Sequence, residues 1–213
     1  MDKKLIIDKT KKFVRNKLEG EGSGHDWWHI VRVYNNAKSI AKEVHESSNE
    51  IDMFIVELGA LLHDVADHKF GYGDEDRKII ITEFLESVGV EKKIIDHVVY
   101  IANNISFKGG KNKHKMESIE GMIVQDADRL DAIGAIGIGR AFSYGGYKKR
   151  VMYNPEDSRK IDEKEDTINH FYEKLLLLKD KMNTKIGYEK ALNRHKVMEK
   201  FLEDFYGEWN GER

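Results

Sequence analysis

A single proline, Pro155, interrupts 213 residues. Proline ends or kinks a helix because it lacks the amide donor and its ring clashes with the preceding turn, so long stretches of this chain can run helical without a break. Apolar residues recur along those stretches at spacings of three and four, the signature of one face of a 3.6-residue turn, and few segments alternate as a half-buried strand does. The expected fold class is therefore all-α. The pattern predicts helices at about 3–18, 26–46, 51–64, 75–88, 91–104, 117–142 with a break near Gly134, 162–182 and 185–207. Glycines mark the connections, in EGEGSG (19–24), FGYGD (70–74), FKGGK (107–111) and SYGGYKK (143–149). The segment from about 143 to 161 holds Asn154-Pro155 and has no clear periodicity, which suggests a lid rather than a simple connection.

A chain of this length can bury a substantial core as one domain. The 36 basic and 38 acidic residues leave a formal charge of −2, so nothing at long range draws in nucleic acid or an anionic membrane, and neither is expected as a partner. An anionic ligand would have to be held by local charges. There are no cysteines, which removes disulfides, thiolate metal sites and a thiol nucleophile together, leaving His, Asp and Glu to bind any metal. The opening MDKKLIIDKTKKF lacks a signal peptide's apolar segment, and no run approaches the roughly 18 apolar residues of a membrane span, so a cytoplasmic location is expected.

The most informative chemistry is His63-Asp64, an imidazole beside a carboxylate at the C-terminal end of the apolar helix IVELGALL. Adjacent groups of those types can both reach one metal ion. Gly59 and Ala60, one turn earlier, are small enough to leave space around the His63 ring. His29 shares a stripe with Val33, Ala37 and Ile40, which turns its ring toward the core; taken alone, that is a hydrogen-bonded core histidine as readily as a ligand. Trp27 and Trp28 beside it read as packing groups, unless one of them lines a pocket. Downstream, VQDADRLDA offers Asp126, Asp128 and Asp131. At about 100° per residue, Asp126 and Asp128 point some 160° apart, so the three cannot bind one ion together. Asp67 follows Asp64 by three residues and shares its face if the helix continues.

Taken together, His29, then His63-Asp64, then Asp128 stand in the order of the HD superfamily of metal-dependent phosphohydrolases, which this sequence resembles. HDWWHI, LLHDVADHKF, NISFKGG, QDADRLDAIGAIGIGRAF and TINHFYEKLL extend the likeness over nearly the whole chain, toward small bacterial HD hydrolases that include nucleotide pyrophosphohydrolases. The resemblance implies a single-domain HD-type helical bundle over 1–213, with His29, His63, Asp64 and Asp128 as metal ligands. Asp128 is chosen because ADRL is similar to the matching helix of the guanosine tetraphosphate hydrolases, where the Asp before Arg-Leu binds the ion; Asp126 is the alternative. Asp131 either orients a ligand or pairs with Arg129 or Arg140. Those hydrolases also carry an acidic residue at the position of Asp67, which makes it the candidate general acid/base. Dinuclear relatives have further histidines between the pair and the last Asp. Here His97 and His114 fall in that interval, but IANNISF has asparagines where another ligand would stand, so one divalent ion is implied, manganese or magnesium before iron, cobalt or nickel.

Arg32, Lys69, Lys108 and Arg140 are the candidate phosphate-binding cations, because apolar or glycine neighbours place them near the core. Lys11-Lys12, Lys92-Lys93 and the lysines at 111, 113 and 115 read as solvated charge, as do Lys148, Lys149 and Arg150 unless the lid closes over phosphates. His25, His68, His170 and Lys174 are further pocket candidates, with His170 in NHFYEKLLLL reading mainly as a packing position. The implied activity is hydrolysis of a nucleoside or deoxynucleoside triphosphate to monophosphate and pyrophosphate by metal-activated water, with a small-molecule nucleotide as the partner. The alternatives are a nucleoside monophosphate phosphomonoesterase and a nucleotide-sensing HD module without turnover.

Overall fold

The computed structural model describes residues 2–18, 26–46, 51–66, 73–105, 115–157 and 165–212, and the described residues contain helices and turns but no strand. In chain order the elements are α1 (Lys3–Leu18), α2 (Trp27–Glu46), α3 (Met53–Leu62), α4 (Asp74–Ser87), α5 (Lys92–Asn104), α6 (Ile119–Asp131), α7 (Gly134–Tyr147), α8 (Asn169–Glu173), a 3-10 turn pair (Leu175–Lys181) and α9 (Lys185–Trp209). The all-α expectation holds. Contacts divide the chain into two compact units, Met1–Asp128 and Arg129–Arg213.

In the first unit, α3 is the central element, packed against α1, α2 and α5. Its sequence MFIVELGALL is apolar nearly all round and almost every residue is buried, as a helix with neighbours on several sides requires. Asp52 starts it, its carboxylate accepting from the Phe54 amide at 2.9 Å. Gly59 also has a packing role: a Cβ there would stand 3.4 Å from both Ile101 and Val124, on α5 and α6. The helix ends at Leu62, before the predicted 64, and residues 63–66 form a turn in which Ala66 takes a left-handed conformation, φ 69°. The shared-face argument for Asp67 therefore loses its premise, since the chain leaves the helix before reaching it. Asp67 itself lies outside the described residues.

In the second unit, α7 and the 3-10 segment pack on α9. Phe142, Phe171, Phe201 and Phe205 form the aromatic core, with ring centroids 5.7–6.5 Å apart. The predicted break near Gly134 is present: Ile133 is extended and Gly134 has φ 74°, where a Cβ would come within 2.9 Å of Arg194 Cβ. Residues 143–147 belong to α7, so the segment expected to be a lid begins five residues later; its last part, from 158, lies outside the described residues. The single helix expected over 162–182 is instead α8 followed by the 3-10 segment, separated at Lys174 (φ −139°, ψ −57°).

Candidate metal centre

The α2 sequence WWHIVRVYNNA buries one stripe, including His29, Ile30, Val33, Tyr34 and Ala37. His29 is fully buried within it, while Trp28, one position off the stripe, is 61 % exposed, which corrects its reading as a packing group. His63 and Asp64 are buried in the turn after α3. The three meet at their polar atoms. His63 Nε2 lies 3.3 Å from His29 Nε2, and Asp64 Oδ2 lies 3.3 Å from His29 Nε2 and 3.7 Å from His63 Nε2. One donor atom from each of the three residues falls within 4.8 Å of the other two. Asp128, on α6 and partly exposed, brings Oδ1 to 3.6 Å from His29 Nε2 and 3.9 Å from His63 Nε2. Asp126 is fully buried.

The orientation of His63 decides what this cluster can bind. Its Nδ1 sits 2.8 Å from the Ala60 carbonyl oxygen, an atom that can only accept, so Nδ1 carries the proton and a neutral ring turns the lone pair of Nε2 toward His29 and the carboxylates. The lone pair of His63 Nε2 can accept a hydrogen from His29 Nε2 or, with the His29 lone pair also turned inward, face a cation beside it. Metal–nitrogen and metal–oxygen bonds of about 2.0–2.2 Å place neighbouring donors roughly 3.0–3.5 Å apart, close to the shorter separations here. Two imidazoles and carboxylate oxygens suit a borderline or hard divalent ion, and the residues fit one.

The remaining candidates are scattered. Arg32 lies half-buried on α2, almost one turn beyond His29. Arg140, on α7 in the second unit, donates from Nη1 to Asp131 Oδ2 at 2.6 Å and to the Asp131 carbonyl at 3.2 Å. The pairing alternative for Asp131 is the one observed, with Arg140 as partner, while Arg129 donates to the Lys181 carbonyl. His97 Nε2 lies 3.9 Å from Glu120 Oε2. Lys148 stands over the Tyr144 and Tyr147 rings and Arg150 over Tyr144. His170 is half-buried beside Glu173, and burial with the nearby Lys174 and Arg150 charges lowers its pKa to about 4. Lys92 pairs with Asp96 at the surface, as solvated charge should. Lys69, Lys108, His25, His68 and His114 lie outside the described residues.

One residue of consequence escaped the sequence reading. Arg77 is buried on α4, where it shares a stripe with Ile81 and Leu85. An arginine at a core position of an amphipathic helix was the available signal.

Residues 27–133 match the HD domain family, half of the chain and all four candidate ligands. Across 199 residues the chain is 39 % identical to the Bacillus subtilis protein YpgQ, covering 92 % of this chain and 89 % of that one. Among solved structures, it is similar to an HD-superfamily hydrolase from Bacillus thuringiensis (45 % identity, TM-score 0.79, 98 % of each chain). It is also similar to YpgQ in complex with ADP (35 % identity, TM-score 0.75, 95 % of this chain and 97 % of that one). The chain belongs to the HD domain family.

Proposed function

We propose that this protein is a metal-dependent phosphohydrolase that cleaves a nucleoside or deoxynucleoside triphosphate to the monophosphate and pyrophosphate. The observation that carries the reading is the convergence of His29, His63, Asp64 and Asp128 donor atoms, with His63 Nε2 turned inward by the Ala60 carbonyl. Its nucleotide side is supported by the solved complex of YpgQ with ADP, a ligand that contains a phosphoanhydride.

In this reading the four residues hold one divalent ion, manganese or magnesium. Such an ion lowers the pKa of its water toward neutrality and polarises a phosphoryl oxygen. Asp67, three residues past the ligand Asp64, handles the proton. Arg32, Lys69, Lys108 and Arg140 are the cations assigned to the phosphates. Several cations match a triphosphate better than a monophosphate. Held on the β- and γ-phosphates, they stabilise the charge that develops on departing pyrophosphate.

The test is incubation of purified protein with nucleoside triphosphates and Mn²⁺ or Mg²⁺, with products separated by anion-exchange chromatography. Nucleoside monophosphate with pyrophosphate is expected. Nucleoside diphosphate with orthophosphate rejects this binding mode, and turnover of monophosphates alone favours a phosphomonoesterase. The YpgQ–ADP complex equally suits a sensing module, which tight nucleotide binding without metal-dependent turnover would establish.

A further inference from the structure

We propose that Arg77 is a positioning residue for the metal centre, fixing through Ala66 the turn that carries His63 and Asp64. This inference rests on the metal reading of that turn.

Arg77 is 1 % exposed. A cation is expensive to remove from water unless its hydrogens find partners, and at this position, on a stripe with buried Ile81 and Leu85, an apolar side chain would pack without that cost. The partners it finds are backbone carbonyls from two other segments. Nε donates to the Ala66 oxygen at 3.2 Å and Nη1 to the Ala102 oxygen at 3.0 Å, while the half-exposed Asp74 carboxylate stands 3.7 Å from Nη1 as counter-charge. Ala102 is among the last four residues of α5, whose carbonyls have no partner within the helix, so a cation there also meets the negative end of the helix dipole.

Ala66 gives the arrangement its direction. Left-handed backbone is unfavourable for any residue with a Cβ, and Ala66 adopts it two residues after Asp64, at the end of the turn that begins at His63. Such a conformation persists only where its surroundings hold it. The Arg77 guanidinium is one such hold, because a fork with fixed geometry bonds the Ala66 carbonyl while anchored to α5. Lysine has a single nitrogen at the end of a flexible stem and cannot reproduce both bonds with the same geometry. The role is orientation at one remove, like that of the Ala60 carbonyl on His63: neither touches the ion, and each limits where a ligand atom can go.

The experiment uses the full chain stripped of metal with a chelator, comparing wild type with Arg77→Met and Arg77→Lys. Co²⁺ affinity is measured by calorimetry, coordination by the visible Co²⁺ spectrum, and folding by circular dichroism and thermal melting. Methionine keeps the buried volume and removes the donors; lysine keeps the charge. Both variants should bind Co²⁺ about 10–100-fold more weakly, the range for outer-shell partners of metal ligands, with Arg77→Lys nearer wild type and with altered spectra. Wild-type affinity and spectrum in either folded variant overturn the proposal, and if Arg77→Met does not fold, Arg77→Lys decides. Failure of the unsubstituted protein to bind Co²⁺ or Mn²⁺ overturns the metal reading and this inference together. Wild-type binding with unchanged Arg77 variants overturns this inference alone.

Discussion

Two buried polar clusters, one in each unit, are built on opposite electrostatic plans. In the first, His29 and His63 present ring nitrogens to one another at 3.3 Å, with the Asp64 and Asp128 carboxylate oxygens at 3.3–3.9 Å. In the second, the buried Asp131 carboxylate accepts from Arg140 at 2.6 Å, and its charge also acts on the guanidinium of Arg194, whose Nη1 donates to the Leu130 carbonyl. Burial lowers the pKa of Arg194 and Asp131 works against that shift. Metal-ligating nitrogens and carboxylate oxygens converge in one cluster, whereas cationic donors and a carboxylate alternate in the other. The difference separates a place shaped to receive a cation from a place where the protein supplies its own, although aspartate and arginine occur in both stretches of sequence.

The comparison breaks most sharply at His63. Replacing it with alanine removes one of the converging nitrogens, and the expected result is loss of stoichiometric Mn²⁺ together with hydrolytic turnover, while helical circular dichroism is preserved. Elemental analysis of the purified variant checks this. A full equivalent of metal in His63→Ala would mean that His63 does not hold the ion, and two equivalents in the wild type would refute the single-ion assignment.

Within α6 the next effect separates Asp128 from Asp126. Asp128→Ala should release the metal and cost little stability, because the residue is partly exposed. Asp126→Ala should keep the metal and destabilise by about 1–3 kcal/mol, the usual consequence of deleting a fully buried polar group from its partners. Urea unfolding with metal analysis on both variants decides. The reverse pattern would restore Asp126 as the ligand.

Arg140→Ala tests the second cluster. It leaves the Asp131 carboxylate buried without the partner at 2.6 Å, and breaking such a pair should cost about 3 kcal/mol, which corresponds to a fall in Tm of roughly 6–12 °C. Metal content should not change. A raised KM for nucleotide in Arg140→Lys, with wild-type stability, would show that this guanidinium also serves substrate.

What the sequence disclosed follows from what periodicity can encode. α1 was predicted over the residues it occupies, α2 and α4 within a residue at each end, and the Gly134 break was found, because each is a local consequence of apolar spacing or of a residue that tolerates positive φ. The end of α3 was missed, since Ala66 carries no sign of left-handed backbone and owes it to its surroundings. The 162–182 helix failed for a similar reason: LLLL has no period that distinguishes an α-helical turn from a 3-10 one. At the site, order and resemblance singled out four residues whose donor atoms do meet, yet only distances chose Arg140 over Arg129 for Asp131 and showed that Arg77 reaches Ala66. Those are long-range pairings, and a pattern confined to neighbours three or four apart does not record them.

The smallest effect concerns acid. The His170 ring lies in the second unit, and burial lowers its pKa from 6.5 to about 4, with Lys174 and Arg150 adding to the shift and Glu173 3.9 Å away on the same helix. The unfolded chain therefore takes up this proton first as pH falls. His170 contributes its stability in full above about pH 6.5 and loses it progressively down to about pH 4. The loss is at most about 3 kcal/mol, and solvent screening reduces it because 32 % of the side chain meets water. Urea unfolding of metal-free protein between pH 7 and 4 should show His170→Gln losing less stability than wild type across that window. Equal losses in the two proteins would remove His170 as a source of the acid sensitivity.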